Sequence, residues 1–196
     1  MVVFLMRRLQ GVRGGLIVLA TTELAADDEL AAIVSREGVP VFRGANADVV
    51  ARYVGAAEHF GFDTVARVTG DCPFVDADLV DWCLGCASEV DQADLATTKG
   101  QFPAGLDVEI YGAPQMAQLH ASGMLSAEER EHLTLHFYRH PDVFAIWRLA
   151  PPAGWTAKCS HFTVDTRADY EMAAAFASHF DGPQFPVNAL LARAAL

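Results

Sequence analysis

Apolar and polar residues follow two alternating patterns along the first half of the chain. Short apolar runs predict buried β-strands at residues 16–20, 39–42 and 64–69. Apolar residues three and four positions apart predict amphipathic helices at residues 2–10, 27–37, 48–60 and 76–87. This alternation of strands and helices predicts an α/β fold with a mainly parallel sheet.

The second half of the chain has a less regular pattern. It predicts strands at residues 94–98, 107–111, 143–149 and 161–164, and helices at residues 114–121, 126–140 and 167–179. Ser126 and Glu129 have the spacing of a capping box, in which each side chain bonds a backbone N–H of the other residue. Because there is no internal repeat and no linker, we interpret residues 1–196 as a single domain.

The composition excludes several classes of protein. Of the 196 residues, 52% are apolar and 20% charged, so the chain can form a core and is not disordered. A formal net charge of −11 without a basic stripe argues against a nucleic-acid partner and against an anionic membrane surface. No apolar run approaches the ~20 residues of a membrane span. Arg7 and Arg8 follow the N-terminal apolar run, whereas a secretory signal has its basic residues first.

The cysteines indicate a reducing compartment. Cys72, Cys83, Cys86 and Cys159 are too few and too irregularly spaced for a disulfide framework, which predicts a cytoplasmic protein with reduced thiols. Cys83 and Cys86 form a CxxC pair within a predicted helix and continue its apolar stripe. We therefore interpret this pair as core packing rather than as a zinc or redox site.

Three histidines recur at intervals of four, so they would share one face of the predicted helix 126–140. These are His132, His136 and His140. The zinc protease motif needs Glu directly after the first histidine, and Leu133 stands there instead. Packing or surface positions are therefore favoured over zinc binding for His136 and His140.

Two aspartates each follow a predicted strand. Asp71 lies in the sequence Thr69-Gly-Asp-Cys-Pro73, and Asp165 follows the strand 161–164. Ligands of open α/β sheets bind beyond the carboxyl ends of strands, and carboxylates suit a hard cation such as Mg²⁺. Gly70 would let a ligand approach the backbone closely. The alternative is that Asp71 caps its turn and Asp165 caps the next helix.

The order and spacing of several motifs resemble those of the cytidylyltransferase family that includes spore coat polysaccharide biosynthesis protein F. The motifs that carry the resemblance are Phe42-Arg-Gly44, Asp48-Val-Val-Ala-Arg52-Tyr53, Arg67-Val-Thr-Gly-Asp71-Cys-Pro73, Gly105-Leu-Asp107-Val-Glu109, Arg130-Glu-His132-Leu-Thr134, Tyr138-Arg-His140-Pro141 and Thr163-Val-Asp165-Thr-Arg-Ala-Asp169-Tyr170. Together they extend over nearly the whole chain, so the resemblance is more specific than any one motif.

The resemblance implies a glycosyltransferase-A-like nucleotidyltransferase fold. It implies an enzyme that joins a sugar to CMP from CTP and releases pyrophosphate, for a surface polysaccharide or glycan. Mg²⁺ is the implied cofactor, with Asp71 and Asp165 as its catalytic carboxylates. A homodimer is compatible with the same resemblance.

The substrate-binding residues also follow from the motif positions. Arg52 and Arg67 would hold phosphates, since Arg binds phosphate bidentately, although each could form an ordinary surface ion pair. The remaining residues assigned to the substrate are Thr69, Gly70, Gly105, Asp107, Glu109, Arg130, Glu131 and His132. Asp107 and Glu109 alternate on one predicted strand and would hydrogen-bond sugar hydroxyls, the alternative being a solvated sheet face. Arg130, Glu131 and His132 would line the sugar pocket.

An alternative function is that of a glycosyltransferase, a class of enzyme that commonly holds its metal with a D-x-D pair at the end of a strand. Asp76 and Asp78 have that spacing, but they stand at a predicted helix start, and Asp76 is better interpreted as an N-cap.

The chain departs from the family at its front. The resemblance includes an opening strand and a Gly-, Arg- and Lys-rich loop that holds the triphosphate, and residues 1–9 already match the helix after that loop. The difference is a strand plus a loop, about 20–30 residues. We expect either a true start upstream, which is favoured, or a degenerate relative. The second alternative is a non-catalytic protein that binds a sugar nucleotide or a partner.

Overall fold

The computed structural model describes residues 1–90, 93–155 and 161–194. Its helices are α1 (Val2–Leu9), α2 (Asp28–Arg36), α3 (Val49–Phe60), α4 (Ala77–Ser88), α5 (Ala113–Ala121), α6 (Ala127–Glu131), α7 (Leu135–Arg139), α8 (Arg167–Ala177) and α9 (Val187–Ala194). Its strands are β1 (Leu19–Thr22), β2 (Val41–Gly44), β3 (Thr64–Arg67), β4 (Leu95–Thr97), β5 (Glu109–Gly112) and β6 (Ile146–Arg148). A 3₁₀ turn, Ala25–Asp27, precedes α2.

The strands form two sheets, which confirms the α/β class but corrects the expectation of a mainly parallel sheet. β1 and β2 are a parallel pair. The second sheet has the order β3-β5-β4-β6, in which β5 runs antiparallel to both neighbours and only β4 and β6 are parallel. An irregular connection, residues 98–108, joins β4 to β5. Because that connection contains no crossover helix, β5 can return beside β4 in the opposite direction.

Local signals predicted the helix ends well. Asp48 caps α3 by accepting a hydrogen bond from the Ala51 N–H at 2.8 Å, and Gly61 ends that helix with a left-handed φ of 70°. The capping box of Ser126 and Glu129 is present at the start of α6. These contacts lie within one helical turn, so the sequence spacing is enough to predict them.

The prediction of one continuous helix at residues 126–140 is wrong, because this segment forms two helices, α6 and α7. His132, at the break, has φ −105° and ψ 87°, outside the helical region. Leu133 is buried there, and the Thr134 hydroxyl donates to the Glu109 carboxylate at 2.9 Å. These tertiary contacts outweigh helix propensity. The break also means that His132 does not share a helix face with His136 and His140.

Two further elements differ from expectation. Residues 161–164 form no strand, and only His161 makes an isolated bridge, to Ala104. The C-terminal helix α9 was not predicted, although its apolar residues Val187, Leu190 and Leu191 are fully buried.

The larger core lies between α1, α4 and α9, around Phe74. The thiols of Cys72 and Cys83 are buried in this core and Cys86 packs against it. Burial raises the pKa of Cys72 to about 12. The core-packing interpretation of the CxxC pair is therefore confirmed, while Cys159 lies outside the described residues. None of the described helices has the length and apolar character needed to cross a bilayer.

Arg8 lies inside this core, an arrangement that the sequence analysis did not foresee. Its side chain is fully buried, and its guanidinium donates to the backbone carbonyls of Phe74, Pro183 and Phe185 at 2.7–3.2 Å. Its Nη2 lies 3.6 Å from the Asp76 carboxylate. Asp76 in turn accepts hydrogen bonds from the backbone N–H of Leu79 and of Val187. Arg8 and Asp76 therefore tie α1, α4 and α9 together.

A cleft of about 710 Å³ separates the two sheets. Apolar residues of α1, the segment 14–20 and β3 line it. Among the described residues, β1 pairs only with β2 and β3 only with β5, so the two strand edges that border the cleft have no further ladder partner. Five of the predicted site residues also line the cleft. They are Arg52, Arg67, Thr69, Gly70 and Glu131.

Candidate active site

The two predicted metal carboxylates come from segments that the fold brings together. Asp71 follows β3 in a turn closed by the Cys72 N–H and the Thr69 carbonyl at 3.1 Å. The Val164 N–H donates to the Asp71 carbonyl at 2.9 Å, so Asp165, the next residue, lies beside Asp71. Asp71 is half-buried and Asp165 is exposed. Their carboxylate oxygens are the donor type that Mg²⁺ prefers, so this pair fits the ion in its chemistry.

Gly105 makes that placement possible. It has a left-handed φ of 90°, and a Cβ there would lie 2.4 Å from the Phe162 carbonyl carbon. The Phe162 N–H donates to the Ala104 carbonyl at 2.6 Å. Because any side chain at Gly105 would push the two segments apart, the glycine lets the chain that carries Asp165 reach Asp71.

Asp107 is a third carboxylate in this region. Its Oδ2 accepts a hydrogen bond from the Gly105 N–H at 3.1 Å. Burial raises the pKa of Asp107, and the negative charges of Glu109 and Asp71 add to that effect. Asp107 precedes β5 rather than lying within it, and its carboxylate accepts no hydrogen bond from the described residues other than that of Gly105.

Glu109, at the start of β5, is fully engaged by protein groups. Its Oε2 accepts from Arg67 Nη1 at 2.5 Å, while Oε1 accepts from the hydroxyls of Thr134 and Tyr138 at 2.9 and 2.8 Å. Burial opposes the charge on Arg67, but Glu109 and Tyr53 outweigh it, so the pKa of Arg67 is raised. Glu109 therefore holds Arg67 at the wall of the cleft.

Arg52, on α3, has no carboxylate partner among residues 1–90, 93–155 and 161–194. Its Nη1 donates to the Ala45 carbonyl at 2.8 Å. The Nε atoms of Arg52 and Arg67 are buried, and neither donates to an acceptor in the described structure. Both residues line the cleft, and Arg binds anions through its charge and its N–H groups. These two arginines are thus suited to bind an anion there.

The predicted sugar-pocket residues form a looser group on α6. Arg130 Nη1 donates to Asp48 Oδ2 at 2.7 Å, and His120 Nε2 lies 3.2 Å from the same oxygen. Burial opposes the charge on Asp48, but its hydrogen bonds from Ala51, Arg130 and His120 lower its pKa overall. His120 lies in none of the family motifs, so its sequence context did not predict this contact.

The other predicted residues are more exposed. Glu131 and His132, at the end of α6, are both exposed. The Thr69 hydroxyl contacts Cys72 Sγ at 3.2 Å. A Cβ added to Gly70 would meet no protein atom within 4 Å, so the space beside it is open to a ligand.

The D-x-D alternative does not match the geometry. Asp76 is buried and is the N-cap of α4, and both of its carboxylate oxygens accept backbone hydrogen bonds. The prediction of an N-cap at Asp76 is confirmed.

Sequence comparisons extend over nearly the whole chain. The family model described as Cytidylyltransferase matches residues 2–182. The chain is 32% identical to spore coat polysaccharide biosynthesis protein SpsF of Bacillus subtilis over 155 residues, which are 79% of this chain and 64% of SpsF. It is 28% identical to the protein MJ1063 of Methanocaldococcus jannaschii over 165 residues, 84% of this chain and 67% of MJ1063. The chain thus spans about two thirds of these relatives.

Solved structures show the same fold. A cytidylyltransferase from Leptospira borgpetersenii superposes with a TM-score of 0.88 at 26% identity, covering 98% of this chain and 81% of that one. A CMP:2-keto-3-deoxy-manno-octonic acid synthetase complexed with CTP superposes with a TM-score of 0.63 at 14% identity, covering 91% of this chain and 88% of that one. At that identity the second likeness concerns the fold alone.

Proposed function

The chain belongs to the cytidylyltransferase family, and on this premise we propose that it transfers CMP from CTP to a sugar. In this reaction a sugar hydroxyl oxygen bonds to the α-phosphorus of CTP. The bond from that phosphorus to the bridging oxygen of the β-phosphate breaks, pyrophosphate leaves, and the hydroxyl proton passes to solvent. The observation that carries the proposal is the Val164–Asp71 backbone hydrogen bond, which brings the segment of Asp165 to that of Asp71, while Gly70, the neighbour of Asp71, lines the cleft.

Asp71 and Asp165 are the residues proposed to hold Mg²⁺. When bound, the ion neutralises charge on the triphosphate and on the departing pyrophosphate. Gly105 has a positioning role in this proposal, because it allows the close approach of residues 162–163. Gly70 leaves room for a phosphate beside the turn.

Arg52 and Arg67 are proposed to bind the phosphates. A protein with a formal net charge of −11 repels a triphosphate unless local positive charge opposes that repulsion. Glu109 keeps Arg67 charged and oriented, while Arg52 has only a carbonyl acceptor. Both side chains line the cleft, where a guanidinium can bind a phosphate through its charge and its N–H groups.

Asp107 is the better candidate of the two strand carboxylates for a sugar hydroxyl. Its carboxylate has unused acceptor capacity, whereas both oxygens of Glu109 are engaged. Glu109 would then act on the substrate through Arg67. Arg130, Glu131 and His132 are proposed to contact the far end of the sugar.

The wider setting is also a proposal. The name of SpsF supports a sugar of a surface polysaccharide, and the CTP complex of the second structure supports CTP as the donor. A glycosyltransferase-A fold and a homodimer follow from the family resemblance. Because the reaction consumes CTP, we assign it to the cytoplasm.

The test measures pyrophosphate release with CTP, Mg²⁺ and a panel of acidic sugars. Asp71→Asn and Asp165→Asn should each lower turnover at least ~100-fold, since even groups that only orient a ligand contribute ~10–100-fold. Asp78→Asn is the matched control, because Asp78 is an exposed aspartate at the start of α4 and should keep full activity.

Calorimetry with CTP distinguishes the two candidate functions. Mg²⁺-dependent CTP binding that is lost in Asp71→Asn supports the enzyme. CTP binding without pyrophosphate release from any sugar supports the non-catalytic alternative, and absence of CTP binding contradicts the proposed function.

A further inference from the structure

A cluster of one carboxylate and two imidazoles lies outside the proposed active site. Glu129 belongs to α6, His136 to α7, and His140 immediately follows α7. One ligand atom from each residue lies within 4.8 Å of the others. We propose that Glu129, His136 and His140 bind a divalent transition-metal ion, with zinc as the best fit, and that the ion joins α6 to α7.

The distances suit a tetrahedral ion. Glu129 Oε1 lies 3.1 Å from His136 Nδ1 and 3.9 Å from His140 Nε2. With zinc–nitrogen bonds of about 2.0–2.1 Å, the ligand atoms of a tetrahedral site lie about 3.3 Å apart. Zinc coordination would therefore require the His140 ring to move closer to Glu129. The ion would take the place of the hydrogen bond between Glu129 and His136.

The second oxygen of Glu129 is held by groups outside the cluster. Glu129 Oε2 accepts from the Ser126 N–H at 2.9 Å and from the Ser126 hydroxyl at 2.7 Å. Such bonds orient a metal ligand and leave Oε1 facing His136 and His140.

The cluster combines a firm base with an open side. The side chains of Glu129 and His136 are 7% and 9% exposed, and the His136 ring packs against Phe144 with centroids 5.5 Å apart. The His140 side chain is 45% exposed and gives an entry path from solvent. Three protein ligands leave the fourth position to water.

A metal ion at this site would also act on the segment that joins α6 to α7. The chain between its ligands contains Arg130 and Glu131, and the break between α6 and α7 places Thr134 on Glu109. An ion at Glu129, His136 and His140 would hold that break in its bent form. It lies on other residues than Asp71 and Asp165, so it is a separate site from the one proposed for Mg²⁺.

The test titrates zinc chloride into tag-free, metal-free protein against a chromophoric chelator. We expect one zinc ion per chain and a melting temperature that rises with zinc concentration. His140→Gln should weaken zinc binding at least ~10-fold, and cobalt in place of zinc should give the visible spectrum of a tetrahedral site that this variant loses. Because His140 is partly exposed, its variant should fold normally, and circular dichroism checks this.

His132→Gln is the matched control, since His132 is an exposed histidine of the same segment outside the cluster. It should leave zinc affinity unchanged. The proposal is overturned if the protein binds no zinc at zinc concentrations of about 10 micromolar. It is also overturned if zinc affinity is the same in His140→Gln as in the unmodified protein, or if Asp71→Asn abolishes the binding instead.

Discussion

Arg8 and Arg67 each lie near a buried carboxylate, but they differ in how many of their hydrogen-bond donors have acceptors. Arg8, in the core, has donors on Nε, Nη1 and Nη2 that all reach backbone carbonyls, with Asp76 at 3.6 Å. Arg67, at the cleft, makes one close ion pair with Glu109 and keeps a buried Nε without an acceptor in the described residues. Burial lowers the pKa of Arg8 to about 10, whereas Glu109 and Tyr53 outweigh burial and raise that of Arg67.

The difference distinguishes a structural cation from one available to a ligand. A buried arginine whose donors are all satisfied has little capacity left for a ligand, so its removal affects mainly folding. An arginine that lines a cleft and is only partly paired can still bind an anion. Arg52 is less paired than either of these arginines, because it has no carboxylate partner in the part of the chain that the structure describes.

Replacing the core arginine should have the largest effect. Arg8→Met leaves several buried carbonyls without their donor and Asp76 without its counter-charge, which should cost about 3–5 kcal/mol of the free energy of unfolding, measured by urea denaturation. Arg13→Met is the control, because Arg13 is 81% exposed in its ion pair with Asp81 and should cost less than about 1 kcal/mol. Equal losses in the two variants would contradict the structural role of Arg8.

Replacing Arg67 should have an intermediate effect on stability. Arg67→Met leaves the Glu109 carboxylate buried with only the hydroxyls of Thr134 and Tyr138, which should cost about 1–3 kcal/mol. Adding Glu109→Gln should recover part of that loss, since the buried charge is then removed. A double-mutant cycle with no coupling between Arg67 and Glu109 would contradict the pairing.

Replacing Arg52 should separate ligand binding from folding. Arg52→Gln removes no ion pair, so the free energy of unfolding should change by less than about 0.5 kcal/mol. Affinity for CTP should fall about 10–100-fold, the equivalent of one charged hydrogen bond. Arg43→Gln, a matched change at an arginine that pairs with Asp28 on the surface, should leave CTP affinity unchanged. A stable Arg52→Gln protein with full CTP affinity would remove Arg52 from the site.

The smallest expected effect concerns the more exposed ion pair of Asp48 and Arg130. Because the pKa of Asp48 is lowered in the folded state, its charge stabilises the protein above the unfolded pKa of about 3.9. That contribution is lost as the pH falls through the folded pKa. The urea midpoint of Asp48→Asn should therefore lie below that of the unmodified protein at pH 7, and the difference should shrink toward pH 3. A constant difference would show that the charge of Asp48 does not contribute.

Prediction from sequence succeeded where the physical cause is local. The predicted caps at Asp76 and Ser126 depend on contacts within one helical turn, as does the left-handed end at Gly61. Prediction failed where distant segments decide the outcome. The break between α6 and α7 involves Thr134 reaching Glu109, and the cluster at Glu129 joins residues on both sides of that break.

The sequence by itself determined the alternation of strands and helices, the helix ends, the absence of a basic stripe and the ordered motifs of the cytidylyltransferase family. Hydrophobic period and capping chemistry act over a few residues, so they can be recognised without a fold. Only the tertiary structure decided that β5 runs antiparallel, that Arg8 is buried, and that Gly105 lets Asp165 lie beside Asp71. Those outcomes depend on packing and hydrogen bonding between residues far apart in the chain, which spacing along a sequence does not encode.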